Sequence, residues 1–201
     1  MSGAAKTRVA VLISGSGTNM EALLEDMADP AHPGEPALVL SNRTDAGGLA
    51  KAEARGVATA VVPHAGRPRA AFEAQLAAEL ARARAEIVCL AGFMRILSAG
   101  FVQRRAGRIL NIHPSLLPLF PGLDTHAQAL AAGVALHGCT VHEVTPQLDA
   151  GPILGQAAMP VRPDDTPETL AARLLPLEHR LYPAVLRARL EGRSEKVALF
   201  A

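Results

Sequence analysis

The sequence is poor in aromatic side chains, with no tryptophan, one tyrosine and five phenylalanines among 201 residues. A core must therefore be built from aliphatic side chains and alanine. Cysteine is also scarce: the two residues Cys89 and Cys139 exclude a disulfide framework and a CxxC metal or redox motif. Both lie in apolar runs, so we expect buried free thiols.

Long hydrophobic runs and an excess of one charge are missing as well. No stretch reaches the roughly 18 apolar residues of a membrane span, and the first residues do not have the pattern of a signal peptide. The 20 basic and 19 acidic residues leave a formal net charge of +1, which argues against general nucleic-acid binding. We expect a cytoplasmic, soluble protein without a membrane partner.

What the sequence does have is apolar content, 49% of residues, enough for one domain with a large core. Short apolar runs predict strands at residues 8–14, 37–41, 59–63, 87–91 and 108–113. Helices are predicted between them; in one, Phe72, Leu76 and Leu80 are spaced for a single face. This alternation predicts an α/β fold, with a mostly parallel sheet and helices on both faces.

The pattern changes after His113, where a proline-rich loop begins. A short helix is predicted near residues 126–132. A strand at 140–145 alternates in polarity, which suggests one solvated face, and residues 153–161 could pair with it as an antiparallel addition. The last helix is predicted to start at Thr166-Pro167-Glu168, and Pro176 and Pro183 are expected to kink or split it.

A glycine-rich loop follows the first predicted strand. Gly15 and Gly17 allow close backbone approach, and Thr18 and Asn19 add donors where a helix starts, so the loop could bind phosphate. The alternative is a strand-to-helix turn that needs glycine. The loop is neither a dinucleotide fingerprint nor a P-loop, although an arginine after the second strand could mimic a clamp for an NADP 2′-phosphate.

Asn111 and His113 lie two residues apart on a predicted strand and so share a face. An amide and an imidazole at a strand end can stabilise an oxyanion and move a proton, or they can satisfy local backbone groups. Asp149 precedes Gly-Pro and is by default a turn residue. If it approaches His113, its carboxylate would orient the imidazole and favour the charged form.

The other histidines and the serines give weaker indications of a functional site. His137 and Cys139 alternate with His142 across a strand, so we expect no metal site. His126 and His179 fit surface or packing roles. The serines lack a G-x-S-x-G elbow, so a serine hydrolase is not expected.

Six stretches occur in a distinctive order between residues 8 and 193: VLISGSGTN at 11–19, LAGFMRILS at 90–98, NIHPSLLP at 111–118, FPG at 120–122, VH at 141–142 and LDAGP at 148–152. In these stretches the chain resembles the phosphoribosylglycinamide formyltransferases, folate-dependent enzymes of purine biosynthesis. The resemblance implies a Rossmann-like sheet in one domain, residues 1–201, with a nucleotide-binding half at about 8–110 and a catalytic and folate half at about 111–193.

The resemblance also implies roles for individual residues. Asn111, His113 and Asp149 match the catalytic residues. The substrate-binding residues are Gly17, Thr18 and Asn19 for the phosphate and Glu178 for the glycinamide. The folate-binding residues are Arg69, Met94, Arg95, Ile96, Leu97, Asn111, Thr145, Pro146, Gln147, Leu148 and Asp149.

The implied reaction moves a formyl group from the co-substrate 10-formyltetrahydrofolate to the amine of glycinamide ribonucleotide, by direct attack and without a metal. The implied partners are these two small molecules, and a homodimer is one option for the assembly. The sequence departs from the family's usual residues at Leu119, Asp124 and Pro176.

Related enzymes and other classes of protein give alternatives. Methionyl-tRNA formyltransferases usually have a Trp-Arg-Gly-type loop where this chain has FPG, and they add a C-terminal domain for which we expect no room. Formyltetrahydrofolate deformylases would use the same three residues with water as the acceptor. An NADP oxidoreductase and a non-catalytic phosphoribosyl sensor are the remaining alternatives.

Overall fold

A computed structural model describes residues 5–201, which form eight strands and six α-helices. The strands are β1 Thr7–Ile13, β2 Gly34–Ser41, β3 Thr59–Val61, β4 Ile87–Leu90, β5 Ile109–His113, β6 Leu136–Glu143, β7 Ile153–Pro160 and β8 Val197–Phe200. The helices are α1 Thr18–Met27, α2 Gly48–Ala54, α3 Arg69–Arg82, α4 Ala99–Arg104, α5 Thr125–Ala131 and α6 Pro167–Leu190.

The fold is α/β and Rossmann-like, with a mostly parallel sheet of eight strands in which β6 and β7 pair antiparallel, as predicted. All seven predicted strands are found, with ends displaced by a few residues. The short elements α4 and β8 were not predicted. Within residues 5–201, no helix combines the length and apolar character that a membrane crossing requires.

The chain divides into two compact units, and it passes from one to the other inside β5, between Leu110 and Asn111. In the first unit the strand order is β3-β2-β1-β4, and the pairs are parallel. Residues 9–13 of β1 are fully buried, as expected for a central strand covered on both faces. The segments after β1, β2, β3 and β4 therefore leave the sheet at one edge, where ligands bind in folds of this kind.

In the second unit, β6 pairs antiparallel with β7, and β7 pairs parallel with β8. The predicted solvated face of β6 is wrong, because residues 137–142 are all buried. Thr140 shows the reason: its hydroxyl donates to the Ser115 carbonyl (2.7 Å) and accepts from the Leu117 amide (3.0 Å). The polar side chains of this strand find hydrogen-bond partners inside the protein. Their alternation with apolar residues therefore did not indicate a solvent-exposed face.

Helix α6 is continuous through Pro176 and Pro183, so the prediction that these prolines could split it is wrong. Each proline removes one backbone donor, but the helix buries apolar side chains along its whole length, including Leu170, Leu174 and Leu181. Packing of that face outweighs the lost hydrogen bonds. The predicted start is confirmed: Thr166 caps the helix and Pro167 is its first residue.

Candidate active site

His113 ends β5 with a nearly buried imidazole, 7% exposed, that has an oxygen beside each ring nitrogen. Nε2 lies 3.0 Å from the Phe120 carbonyl oxygen, which can only accept, so Nε2 carries a proton. Nδ1 lies 3.6 Å from Oδ2 of Asp149. Both nitrogens therefore face oxygen atoms, Nε2 at hydrogen-bond distance and Nδ1 slightly beyond it.

Asp149 sits in the turn between β6 and β7, where it adopts a left-handed backbone conformation (φ 49°) that aspartate tolerates better than most residues. Its carboxylate is 8% exposed, and Oδ2 accepts a hydrogen bond from the Gly122 amide at 2.9 Å. Asp149 is thus more than a turn residue, because its carboxylate joins the loop after β5 to the loop after β6.

Asn111, two residues before His113 on β5, is held by His142 of β6. Its Nδ2 lies 3.2 Å from Nε2 of His142, and Nδ1 of that ring lies 2.9 Å from the Glu143 carbonyl oxygen. Nδ1 must donate to that carbonyl, which leaves Nε2 as the acceptor for one Asn111 hydrogen. Burial lowers the pKa of His142, which agrees with a neutral ring. The second Asn111 hydrogen remains available to a ligand.

His142 also lies near the carboxylate, with Nε2 3.8 Å from Oδ1 of Asp149. Four side chains from β5, β6 and the following turn therefore form one cluster, which we call the 111–149 cluster: Asn111, His113, His142 and Asp149. It combines an amide donor, an imidazole with two acceptors, a neutral imidazole and a carboxylate. Such a set can stabilise a developing oxyanion and hold or release a proton.

A second histidine pair, His126 and His137, lies in the same unit, with Nδ1 of the first 3.1 Å from Nε2 of the second. Burial lowers the pKa of His126, and burial together with His126 lowers the pKa of His137 to about 4. Among the side chains of residues 5–201, no group of three or more His, Cys, Asp or Glu is placed to hold a metal ion. Cys89 and Cys139 are buried free thiols, as predicted.

The glycine loop of the first unit forms the start of α1, with Gly17 in a left-handed conformation (φ 71°). A Cβ on Gly17 would come within 2.9 Å of Met20 Cε and 3.0 Å of Gly48 Cα, so only glycine fits here. A cavity of about 460 Å³ lies over the loop, lined by residues 14–19, Asn42, Arg43, His64, Ala91, Gly92 and Met94. The loop amides at a helix start suit an anion such as phosphate.

A family model described as formyl transferase matches residues 7–186. The chain belongs to the formyl transferase family. It is 44% identical over 186 residues to the phosphoribosylglycinamide formyltransferase of Escherichia coli (strain K12), a match that covers 92% of this chain and 88% of that protein.

A solved structure from Brucella melitensis, named phosphoribosylglycinamide formyltransferase, is 52% identical to this formyl transferase family member. The TM-score is 0.89, and the match covers 96% of this chain and 100% of that one. The trifunctional purine biosynthetic protein adenosine-3 of Bos taurus is 47% identical over 188 residues, 93% of this chain. The chain spans only 19% of that protein's length.

The structure of this family member brings some of the predicted residues together. Asn111, His113 and Asp149 meet in the second unit, and the glycine loop and Met94 line one cavity in the first. Arg69 is exposed as the first residue of α3, and Glu178 lies half-buried within α6. Thr145 is half-buried, whereas Pro146, Gln147 and Leu148 are exposed between β6 and β7.

The sequence did not reveal His142 as a site residue, nor Asn42 and His64 as cavity residues. Neither the rejected metal site nor the resemblance assigns His142 a role. One signal was available, since His142 is part of the VH stretch that carries the resemblance. The partner Asn111 is 31 residues away in sequence, however, and spacing alone does not identify it.

Proposed function

We propose that this chain is a phosphoribosylglycinamide formyltransferase. It would transfer the formyl group of 10-formyltetrahydrofolate, the co-substrate of this family, to the amine of 5′-phosphoribosylglycinamide in de novo purine biosynthesis. The observation that carries the proposal is the 111–149 cluster, in which an amide, two imidazoles and a carboxylate lie within 4 Å of their neighbours in a member of the formyl transferase family. The names of similar proteins supply the substrate.

The proposed reaction begins when the neutral amine of glycinamide ribonucleotide attacks the formyl carbon. A carbon–nitrogen bond forms to the amine, and the carbonyl oxygen becomes an oxyanion. Asn111 donates its free side-chain hydrogen to that oxygen, because His142 accepts only the other one. Collapse of the intermediate breaks the bond to N10 of the folate, and the proton lost by the amine reaches that nitrogen.

His113 serves as the second donor to the oxyanion. Its Nε2 proton is directed at the Phe120 carbonyl in the free protein, so the oxyanion must replace or share that acceptor. Asp149 faces the opposite nitrogen and orients the ring. No covalent intermediate on the protein is required, since the acceptor amine is a competent nucleophile. Catalysis comes from juxtaposition of two substrates and from donors held in place.

The substrate-binding roles follow the family resemblance and the chemistry of each site. The amides around Gly17, Thr18 and Asn19 hold the ribonucleotide phosphate, and Glu178 contacts the glycinamide. The folate contacts come from Arg69, from residues 94–97, where Met94 and Ile96 are exposed, from Asn111 and from residues 145–149.

We place the enzyme in the cytoplasm, where a reducing environment suits its two buried free thiols. Its partners are the two small-molecule substrates, with no metal, nucleic acid or membrane. A homodimer remains one option for its assembly.

The test is an assay with both substrates, in which the product is identified by mass. The wild type should give formylated glycinamide ribonucleotide and tetrahydrofolate. His113→Ala should lose on the order of 10²- to 10³-fold in turnover, as when other enzymes lose one oxyanion donor. His126→Ala is the matched control, because His126 lies in the same unit and bonds to His137 rather than to the 111–149 cluster.

Three results would contradict the proposal. Formate without formylated product would indicate a deformylase, an absorbance change at 340 nm with NADP would indicate hydride transfer, and binding without any product would indicate a sensor.

A further inference from the structure

The segment Met94–Ser98, between β4 and α4, has no regular secondary structure and carries part of the proposed folate site. We call it the 94–98 segment. Met94 and Ile96 are 71% and 65% exposed, whereas Leu97 is buried. Two large apolar side chains on a short exposed stretch are suited to contact a flat apolar ligand. The backbone must be held in place for them to do so, because ordering a free loop on binding weakens affinity.

Ser14 holds the first end of the segment. Its hydroxyl accepts a hydrogen bond from the Met94 amide (2.8 Å) and donates to Oδ1 of Asn42 (2.6 Å). Ser14 and Asn42 are both buried, so water does not compete strongly for these bonds. Ser14 is also the residue directly before the glycine loop, and it lines the cavity above that loop together with Met94.

Glu73 of α3 holds the other end. Its carboxylate accepts from the Ser98 amide at 2.6 Å and from the Ser98 hydroxyl. The same hydroxyl accepts from the Phe101 amide (3.2 Å) and so caps the start of α4. Glu73 is buried, and a buried carboxylate is tolerated only where donors satisfy it. It therefore ties α3, the 94–98 segment and α4 together.

We propose that Ser14 and Glu73 are positioning residues for substrate binding, with Glu73 serving the folate alone and Ser14 serving both substrates. The inference rests on the proposed function, which assigns the 94–98 segment to the folate and the glycine loop to the phosphate. Glu73 bonds the end of the segment farther from the glycine loop, so its loss frees only the folate surface. Ser14 stands between the two sites, so its loss loosens both.

The test measures the dissociation constants of tetrahydrofolate and of glycinamide ribonucleotide by calorimetry, together with kcat and both KM values. Glu73→Leu should weaken tetrahydrofolate binding about three- to tenfold, the equivalent of one or two hydrogen bonds. It should leave ribonucleotide binding and kcat within about twofold. Glu73→Gln is the matched control: it keeps the size and can still accept from the amide and donate to the hydroxyl, so it should bind as the wild type does.

Ser14→Ala should weaken the binding of both ligands by a similar factor. Ser98→Ala provides a second variant that removes one of the two bonds to Glu73, and it should weaken tetrahydrofolate binding less than Glu73→Leu does. This variant decides the matter if Glu73→Leu does not fold.

Unchanged tetrahydrofolate affinity in Glu73→Leu or, failing that, in Ser98→Ala would overturn the inference, as would equal losses for both ligands in Glu73→Leu. Failure of the proposed function looks different. A wild type that binds both ligands but transfers no formyl group contradicts the function and leaves the comparison of variants valid. A wild type that binds no tetrahydrofolate overturns both.

Discussion

At the scale of single residues, Asp149 holds the candidate site together, because its carboxylate meets the His113 imidazole and the Gly122 amide from a left-handed backbone position. The negative charge lies beside Nδ1 of His113, while Nε2 donates to the Phe120 carbonyl. An uncharged side chain of the same shape would keep the turn and lose this effect.

We therefore expect Asp149→Asn to reduce kcat on the order of 10²-fold, in the range of acid–base contributions, with smaller changes in KM. Asn tolerates the left-handed conformation as Asp does. Asp124→Asn is the matched control, because Asp124 has a similar φ of 54° and is exposed. It should retain activity within about twofold. Steady-state kinetics at neutral pH measure both variants, and equal activity of the two would contradict the role of Asp149.

His142 acts on the site through Asn111, since its neutral Nε2 accepts one amide hydrogen and so fixes which end of the amide points to the substrate. Without this acceptor the amide can turn and present its oxygen to the oxyanion. We expect His142→Leu to lower kcat on the order of tenfold, the effect of one well-placed hydrogen bond. His142→Gln, which can supply an acceptor, should recover part of the rate.

A double-mutant cycle separates this role from a loss of stability. In an Asn111→Ala background, His142→Leu should cost no more than about a further twofold. Cys139→Ala, a truncation at another buried position of β6, controls for a weakened strand. If the two substitutions lower kcat by independent factors that multiply in the double variant, His142 does not act through Asn111.

At the scale of elements, the sequence predicted the order of strands and helices well, because runs of Val, Ile and Leu in β1, β2 and β4 leave little alternative. It missed α4, which is six residues long with two buried side chains, and β8, which has four residues and an exposed phenylalanine. Six residues are too few to show helical periodicity, and β8 has no fully buried residue. Pairing of separate strands, and hence the Asn111–His142 contact, is likewise invisible to local pattern.

The loop that starts α1 offers a test at the element scale. Gly17→Ala adds a methyl group against Met20 Cε and Gly48 Cα at a positive φ, so it should lower stability by about 1–3 kcal/mol and raise the KM for glycinamide ribonucleotide. Gly15→Ala is the control, because its added Cβ would meet nothing within 4 Å. Chemical denaturation and kinetics measure the pair. Equal effects of the two substitutions would refute the assigned role of Gly17.

The packing of α5 against β6 contains a pH-dependent element, His126 with His137. The pKa of His137 is about 4 in the folded chain, below the ordinary value of 6.5. As the pH falls from 6.5 to about 4, the unfolded chain takes up a proton at His137 that the folded chain does not. The free energy of unfolding therefore decreases, by up to about 3 kcal/mol.

His137→Asn should therefore lose less unfolding free energy between pH 7 and pH 4 than the wild type does, even if it is less stable at pH 7. The difference between the two proteins isolates this histidine from other groups that titrate in the same range. Urea denaturation at several pH values gives the comparison, and parallel curves would rule out the His137 contribution.

At the scale of the whole molecule, family and fold were predictable because six stretches share a distinctive order along the chain, and the family match spans residues 7–186. The site was only partly predictable. Asn111 and His113 follow from strand alternation, and Asp149 from the resemblance. The contacts of Asp149 with His113 and Gly122, and the support from His142, depend on how distant loops fold back.

In the proposed reaction the formyl carbon passes directly from the folate to the amine of glycinamide ribonucleotide. The most direct measurement follows 10-formyltetrahydrofolate labelled with ¹³C in the formyl group by NMR, with the purified wild type and both substrates. We expect the label to leave N10 and to appear as the formamide of the ribonucleotide, one for one, and Asp149→Asn to slow the transfer. Label that accumulates as formate, or stays on the folate, would contradict it.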